Sequence, residues 1–283
     1  MRVSAFIIGL CLRCVCSAAE FDPFEGPKPI AVFIQTNPWA RVINADTPRV
    51  AIYENGDLIF ARSVDDRRVY HHVWLNQSVM EKVHKRIKLV LELNELKPRY
   101  DLKPYVTDQP EAMFYLRDGK REVATRVYGL AAGTDLSPRR EFASGARPII
   151  PPDELLELYR WFCRVGNRNN KEWIPKYVEV ILWDYSHASE ASLVWPDEWP
   201  SLDSDRAVKR GNSYSIFLDG SMLPKVRDFL ERRKEGVAIE IGGKWMSAEY
   251  RLTFPREPDW RKAFAAARQK QINEQKQGDE GSN

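Results

Sequence analysis

The sequence has few cysteines, and most of them lie at its beginning. Four cysteines occur among 283 residues, and only Cys163 follows the first sixteen. If the N-terminal segment is removed, as argued below, no intrachain disulfide can form, so a disulfide-built scaffold is excluded. Cys163 comes directly after Trp161 and Phe162 in a helical pattern. Such a free cysteine is typically a small buried hydrophobe rather than a nucleophile.

The sequence also lacks a surplus of charge and a long apolar run. Without Arg2 and Arg13 of the N-terminal segment, the basic residues fall from 43 to 41, against 40 acidic residues. A nearly neutral chain has no concentrated positive charge to neutralise phosphates, so we expect no nucleic-acid partner. No apolar stretch approaches the roughly 20 residues that cross a bilayer, so we expect no membrane span in the mature chain.

The first nineteen residues predict export. The segment "MRVSAFIIGLCLRCVCSAA" joins a positive start at Arg2 to an apolar run and the small residues Ser17, Ala18 and Ala19. This is the pattern of a signal peptide, so we expect cleavage near Ala19 and a periplasmic or secreted protein. Arg13 interrupts the apolar run, and a short buried N-terminal strand is the alternative interpretation.

The first part of the mature chain predicts a hairpin followed by a helix. In residues 49–62, "RVAIYENGDLIFAR", apolar residues alternate around an Asn-Gly pair, which favours a type I′ turn. Asn76 or Ser78 is expected to cap a helix that runs to about Leu93, since apolar residues then recur at helical spacing.

The same order of elements returns later in the chain. Residues 112–130 alternate around an Asp-Gly pair, and a helix is expected from near Pro152 to Gly166. The segments "KYVEVILWDY" and "SYSIFLDG" then predict strands, and "VAIEIGGKWMSAEYRLTFP" predicts a closing hairpin.

These patterns predict an α+β fold with antiparallel sheets built from hairpins, each followed by an amphipathic helix. The predicted parts are an export signal (1–19), an N-terminal extended segment that is an added edge strand or a linker (20–48), a first sheet-and-helix part (49–170), a second one (171–255), and a C-terminal helix with a disordered tail (256–283).

Three of these features together resemble a family. The export signal, the "IYENGD" hairpin with its following helix, and the closing "GGKWMSAEYRLTFP" hairpin resemble uncharacterised exported bacterial proteins made of hairpin-and-helix units. The resemblance extends diffusely over the mature chain. It rests on turn and strand chemistry, so it carries over no catalytic residue and implies no activity.

The best candidate site is an aromatic loop, "ILWDYSHASEASLVWPDEWPSLD". Its two Trp-Pro steps force extended backbone, and exposed rings there would stack on sugar rings or on a proline-rich or aromatic peptide. The predicted ligand-binding residues are Trp183, Tyr185, Trp195, Asp197, Glu198 and Trp199. The competing interpretation is that the rings cover the sheet, and the binding hypothesis fails if the second and third tryptophans of the loop are fully buried.

The sequence gives less support to a catalytic site or a metal site. Asp184, Ser186 and His187 are adjacent in sequence, whereas a triad converges from separate segments, and no Gly-x-Ser-x-Gly motif occurs. Glycoside hydrolysis remains open because several carboxylates surround the aromatic loop, namely Glu179, Asp184, Asp197 and Glu198. We expect no metal site, since His71, His72, Glu81 and His84 do not form a ligand motif, and no cofactor.

The sequence thus predicts an exported, non-catalytic binding or interaction module with an unknown protein or glycan partner in the envelope. Whether it is an enzyme stays open, although the lack of a catalytic signature favours a non-enzyme. The alternatives are a carbohydrate-active hydrolase that uses carboxylates near the Trp-Pro loop and a structural envelope protein.

Overall fold

The structure is a computed structural model that describes residues 21–39, 46–64, 67–93, 96–131, 134, 147–165, 171–234 and 236–280. The predicted export signal and Gly166, the predicted end of the second helix, lie outside these residues. The described residues form fourteen strands, four α-helices and a 3₁₀ turn (Gly220–Met222).

The strands form two sheets. The first contains β1 (Pro29–Thr36), β2 (Val50–Tyr53), β3 (Asp57–Val64), β4 (Arg67–Trp74), β5 (Arg99–Asp101), β6 (Glu111–Asp118), β7 (Arg121–Tyr128) and β8 (Lys171–Glu172), in the order β5-β7-β6-β1-β2-β3-β4-β8. The second contains β9 (Tyr177–Asp184), β10 (Ala191–Val194), β11 (Ala207–Arg210), β12 (Ser213–Asp219), β13 (Ala238–Ile241) and β14 (Lys244–Leu252), in the order β10-β13-β14-β9-β12-β11. The helices are α1 (Gln77–Leu91), α2 (Asp153–Arg164), α3 (Leu223–Glu231) and α4 (Glu257–Glu280).

The predicted α+β class is confirmed, with sheets that are mixed rather than purely antiparallel. The pairs β5–β7 and β10–β13 are parallel, and the other pairs of named strands are antiparallel. In each parallel pair, a short strand lies at the edge of its sheet and pairs with a strand that is not its neighbour in the sequence. Such pairings depend on tertiary contacts that local turn patterns do not encode.

Strand β1 is an inner strand, which corrects the expectation of an edge strand or linker in residues 20–48. It pairs with β2 on one side and β6 on the other. Its apolar residues are buried on both faces, because Ala31 and Phe33 point to one core cluster while Val32 and Ile34 point to the other. A near-continuous apolar run is typical of a strand that is covered on both faces.

The two core clusters lie on opposite faces of the first sheet. One contains Val83 and Ile87 of α1 together with Leu155 and Phe162 of α2. The other combines the opposite face of the first sheet with the second sheet, α3, and Trp260 of α4. The first sheet is therefore covered on both faces, and the second sheet has its apolar face toward this shared core.

Local signals explain where two of the helices begin. Asn76 caps α1, because its side-chain oxygen accepts a hydrogen bond from the backbone N–H of Val79 at 3.0 Å. Asp153 and Glu154 lie in the first turn of α2, where negative charge is favoured by the helix dipole.

The turn between β2 and β3 differs from the predicted type I′ turn. The N–H of Gly56 donates a hydrogen bond to the carbonyl oxygen of Tyr53 at 3.0 Å, and Gly56 has a φ of +93°. Asn55 has no positive φ, whereas a type I′ turn requires one at both central residues. The loop therefore spans three residues and ends with a glycine that provides the left-handed conformation.

Helix α4 runs to Glu280, through most of the tail that was expected to be disordered. Its second half is polar but rich in good helix formers, and pairs such as Lys270 with Glu274 support it at i,i+4 spacing. In the part of the chain that the structure describes, no helix combines the length and the apolar character needed to cross a membrane.

Candidate functional site

Two central residues of the predicted aromatic site belong to the core. The side chains of Trp195 and Trp199 are 5% and 6% exposed, and their rings pack edge to face with centroids 5.1 Å apart. Both also contact the ring of Phe229 in α3, and the indole N–H of Trp195 donates to the carbonyl oxygen of Pro200. The expectation of exposed rings at these two positions is wrong, because the loop folds back and buries them against α3.

The other predicted ligand-binding residues lie nearer the surface. Trp183 and Tyr185 are half-buried, while Asp197 and Glu198 are exposed. Glu198 and Trp199 line a depression of about 690 Å³ against α3. The predicted aromatic rings therefore do not converge on one exposed face.

The adjacent Asp184, Ser186 and His187 do not form a triad. The hydroxyl of Ser186 donates to the carboxylate of Asp184 at 3.0 Å, while the imidazole of His187 packs on the ring of Tyr185 with centroids 4.7 Å apart. A triad needs the imidazole between the hydroxyl and the carboxylate. This segment thus lacks the geometry of nucleophilic catalysis.

The histidines considered as metal ligands each contact a different residue. His72 contacts Asp57 at 2.7 Å, His84 lies 3.8 Å from Asp118, and His71 stacks on Phe60. Over the described ranges, no three His, Cys, Asp or Glu side chains form a group that could hold a metal ion.

A different site lies on the second sheet, on the face that points away from the shared core. Three apolar residues of β9 point to the core, namely Val178, Val180 and Leu182. Side chains alternate along a strand, so the opposite face carries Glu179, Ile181 and the half-buried Trp183. In the strand register, Glu179 is opposite Arg251 of β14 and Phe217 of β12, and Ile181 is opposite Ser215. This face carries a cavity of about 470 Å³, which we call the Glu179 cavity.

The charged residues of the Glu179 cavity form a chain of alternating sign. It consists, in order, of Arg210, Glu179, Arg251, Glu257, Arg261 and Asp46. The outer contacts measure 3.6 Å between Arg210 and Glu179, 2.6 Å between Arg261 and Glu257, and 2.5 Å between Arg261 and Asp46. Three positive and three negative groups meet here, so the described residues of the cavity wall carry no net charge.

Arg251 is the centre of this chain. Its two terminal nitrogens form ion pairs with the carboxylates of Glu179 and Glu257, and all three side chains are buried. Burial alone lowers the pKa of Arg261, but the charges of Glu257 and Asp46 more than offset that effect and raise the pKa overall. The guanidinium of Arg261 is therefore held in its charged form.

Glu179 is the most unusual member, because it is 1% exposed and its Oε1 has no hydrogen-bond donor among the described residues. Arg251 contacts the other oxygen, Oε2, whereas the nearest described cation to Oε1, Arg210, lies 3.6 Å away. A buried carboxylate usually accepts several hydrogen bonds, and an unsatisfied one is costly. Glu179 thus has unused acceptor capacity at the cavity wall.

The remaining wall of the cavity is partly apolar. Phe24 and Pro258 contribute apolar surface, and Ser213 and Ser215 contribute hydroxyl groups. The ring of Phe24 is held by an edge contact with Phe217 at 5.9 Å between centroids. The site therefore combines one aromatic face with several fixed polar groups, a mixture typical of small-molecule sites.

The sequence pointed to one residue of this cavity. Glu179 was among the carboxylates considered for glycoside hydrolysis, but Arg251, Glu257 and Arg261 were missed. A usable signal existed, because Glu179 interrupts the otherwise apolar segment "YVEVILW" and Arg251 lies between Tyr250 and Leu252 in the closing hairpin. Charged residues at such positions are paired when they are buried.

Comparison with known proteins finds no match: no family model, no curated protein and no solved structure is similar to this chain.

Proposed function

We propose that this protein is an exported, non-catalytic binding module that holds a neutral, hydroxyl-rich ligand, a saccharide, in the Glu179 cavity. The observation that carries the proposal is the buried carboxylate of Glu179, whose Oε1 has no hydrogen-bond donor among the described residues. A sugar hydroxyl is a donor that would satisfy this oxygen, because an ionised carboxylate is an acceptor only.

The charge balance of the cavity supports a neutral ligand. The arginine and carboxylate groups compensate one another, so an added ion would leave an unpaired charge in a partly buried site. The exposed side of Phe24 offers an apolar face for a sugar ring, and the hydroxyls of Ser213 and Ser215 offer further partners.

Trp183 extends the proposed binding surface. It lies on the same face of β9 as Glu179, four residues along the strand, which corresponds to about 13 Å. That spacing suits a ligand of more than one sugar ring. One aromatic residue of the predicted site is thereby retained, while the buried pair of tryptophans is not part of the surface.

The same residues argue against hydrolysis. A glycosidase needs one carboxyl group that gives a proton to the leaving oxygen and a second that acts as base or nucleophile. Glu179 and Glu257 are both engaged by Arg251, so neither is free for the role of acid. We therefore favour binding over the hydrolase alternative.

The test is isothermal titration calorimetry of residues 20–283 with cellobiose, xylobiose and chitobiose. We expect saturable binding of at least one disaccharide, and a loss of tenfold or more in Glu179→Gln, because a charge-assisted hydrogen bond is removed. Phe24→Leu keeps an apolar side chain but removes the ring, and it is expected to weaken binding without touching the ion pairs.

Glu198→Gln is the matched control, since it makes the same chemical change at the exposed predicted site. Binding that is lost in Glu198→Gln and kept in Glu179→Gln would place the ligand on the Trp-Pro loop instead. No binding of any disaccharide to the folded protein would refute the saccharide assignment. Release of reducing sugar during the titration would favour the hydrolase.

A further inference from the structure

A second cavity, separate from the Glu179 cavity, lies where the first sheet meets α4. It has a volume of about 620 Å³, and its floor and rim come from the end of β1, from β5, β6 and β7, and from the second half of α4. We call it the arginine cavity and define it by Arg99, Glu111, Arg126, Arg268, Gln271 and Ile272.

The charge of the arginine cavity is unbalanced. Among the described lining residues, three guanidinium groups face the cavity, on Arg99, Arg126 and Arg268, against one carboxylate, that of Glu111. That carboxylate is also too far away to hydrogen-bond either neighbour, at 3.9 Å from Arg99 and 3.7 Å from Arg126. Asp101 also lies 3.3 Å from Arg99, so the described groups keep about one uncompensated positive charge.

Two of the arginines have donors without an acceptor among the described residues. The Nε–H of Arg126 is buried and finds no acceptor among the described residues, although a terminal nitrogen of the same side chain donates to Gln271 at 3.0 Å. Arg268, on the exposed side of α4, has no ion-pair partner in the described part of the chain. A buried donor without an acceptor is costly, so this cavity is suited to a ligand that supplies acceptors.

The donors are also held in place before any ligand arrives. The guanidinium of Arg99 lies over the ring of Tyr128 at 5.1 Å and 3.3 Å from the carboxylate of Asp101. The hydroxyl of Tyr128 in turn donates to the carbonyl oxygen of Val106 at 2.7 Å. Fixed donors lose little side-chain entropy on binding, which favours affinity.

We propose that the arginine cavity binds a doubly charged tetrahedral oxyanion, carried by a small organic molecule as a phosphate monoester. Guanidinium groups match phosphate oxygens in pairs, and the site carries an excess of positive charge that attracts an anion. Pro38 and Ile272 provide apolar surface at the rim for the organic part of the ligand. This site shares no residue with the Glu179 cavity, so the inference is independent of the proposed function.

The test is calorimetric titration of residues 20–283 at low ionic strength with inorganic phosphate, phenyl phosphate and benzoate. We expect phenyl phosphate to bind more tightly than inorganic phosphate, and benzoate to bind most weakly because it carries one charge. Arg268→Ala and Arg126→Gln are each expected to weaken phosphate binding by tenfold or more.

The matched control is Lys262→Ala, which removes one positive charge from the exposed surface of α4 away from the cavity. Its affinity for phenyl phosphate should stay within about twofold of the unmodified protein. If Arg126→Gln does not fold, the exposed Arg268→Ala decides the question.

Three outcomes would overturn the proposal. They are no phosphate binding at millimolar concentrations, an equal loss of affinity in Lys262→Ala and Arg268→Ala, and tighter binding of benzoate than of phenyl phosphate. If inorganic phosphate binds as tightly as phenyl phosphate, the organic part makes no contact and the assignment to an ester is wrong.

Discussion

Arg251 of β14 and Glu179 of β9 stand directly opposite each other in the antiparallel register and form a buried ion pair. Arg251 also compensates Glu257, so it neutralises two buried carboxylates at once. We expect Arg251→Met to lower the free energy of unfolding by about 3–5 kcal/mol, because both carboxylates lose their main counter-charge. Urea unfolding followed by circular dichroism measures this loss.

The control for this prediction is Lys88→Met. Lys88 pairs with the exposed Glu92 at 3.6 Å, and such surface pairs contribute about 0–1 kcal/mol. Equal losses in the two variants would show that the buried chain of charges adds no stability beyond an ordinary surface pair.

The burial of Trp199 gives a second prediction. Its ring packs between Trp195 and Phe229, so Trp199→Ala should leave a cavity and lower the free energy of unfolding by about 3–5 kcal/mol. Trp39→Ala is the control, because that side chain is 80% exposed and its removal should change stability by less than about 0.5 kcal/mol. A stable Trp199→Ala protein that loses saccharide binding would restore the Trp-Pro loop as a ligand site.

Local features of the sequence predicted the parts of the fold that short segments determine. The N-cap at Asn76 and the α+β class follow from turn residues, caps and periodicity, which a short segment carries by itself. The inner position of β1 and the two parallel pairs depend on contacts between distant segments. No pattern in the residues of β1 specifies which strands will be its neighbours.

The same reason explains why the candidate site was misplaced. The sequence of a Trp-Pro loop is the same whether its rings are exposed or packed on a helix. The position of Phe229 in α3 decides between these outcomes, and the loop sequence does not contain it. The Glu179 cavity arises from the strand register that sets Arg251 opposite Glu179, and from the start of α4 that adds Glu257. Charged residues within apolar strands signal burial but do not identify their partners.

Gly220, directly after β12, gives a third prediction. A Cβ atom at this position would lie 1.7 Å from the carbonyl oxygen of Pro175, and the N–H of Gly220 donates to the carbonyl oxygen of Lys176 at 2.8 Å. Gly220→Ala must therefore shift the backbone, and we expect a loss of about 3 kcal/mol or more in the free energy of unfolding.

The comparison for Gly220→Ala is Gly119→Ala. Gly119 has a φ of +58° and open space around it, so the loss there should be only the strain of a left-handed alanine, about 1–2 kcal/mol. A loss at Gly220 no greater than that at Gly119 would mean that the Pro175 segment moves away at little cost. Thermal or urea unfolding of both variants separates these outcomes.

Tyr70 predicts a decrease in stability at alkaline pH. Its ring is buried with an edge contact to Phe254, and its hydroxyl donates to the carbonyl oxygen of Pro48 at 2.9 Å. Burial raises the pKa of Tyr70 to about 12, against about 10 for the unfolded chain. Between these values the unfolded state releases a proton that the folded state retains.

The contribution of Tyr70 is therefore fully present below about pH 10 and is lost as the pH rises toward 12, by about 2–3 kcal/mol. Tyr70→Phe lacks this titration but also lacks the hydrogen bond, so it should be less stable by about 1 kcal/mol at pH 8. The difference between the two proteins should shrink above pH 10 and then change sign. Tyr53, Tyr115 and Tyr159, whose pKa values burial also raises, are common to both proteins and cancel in the difference. Urea unfolding of both proteins across this pH range makes the measurement, and a difference that stays constant with pH would show that the hydroxyl of Tyr70 is open to solvent.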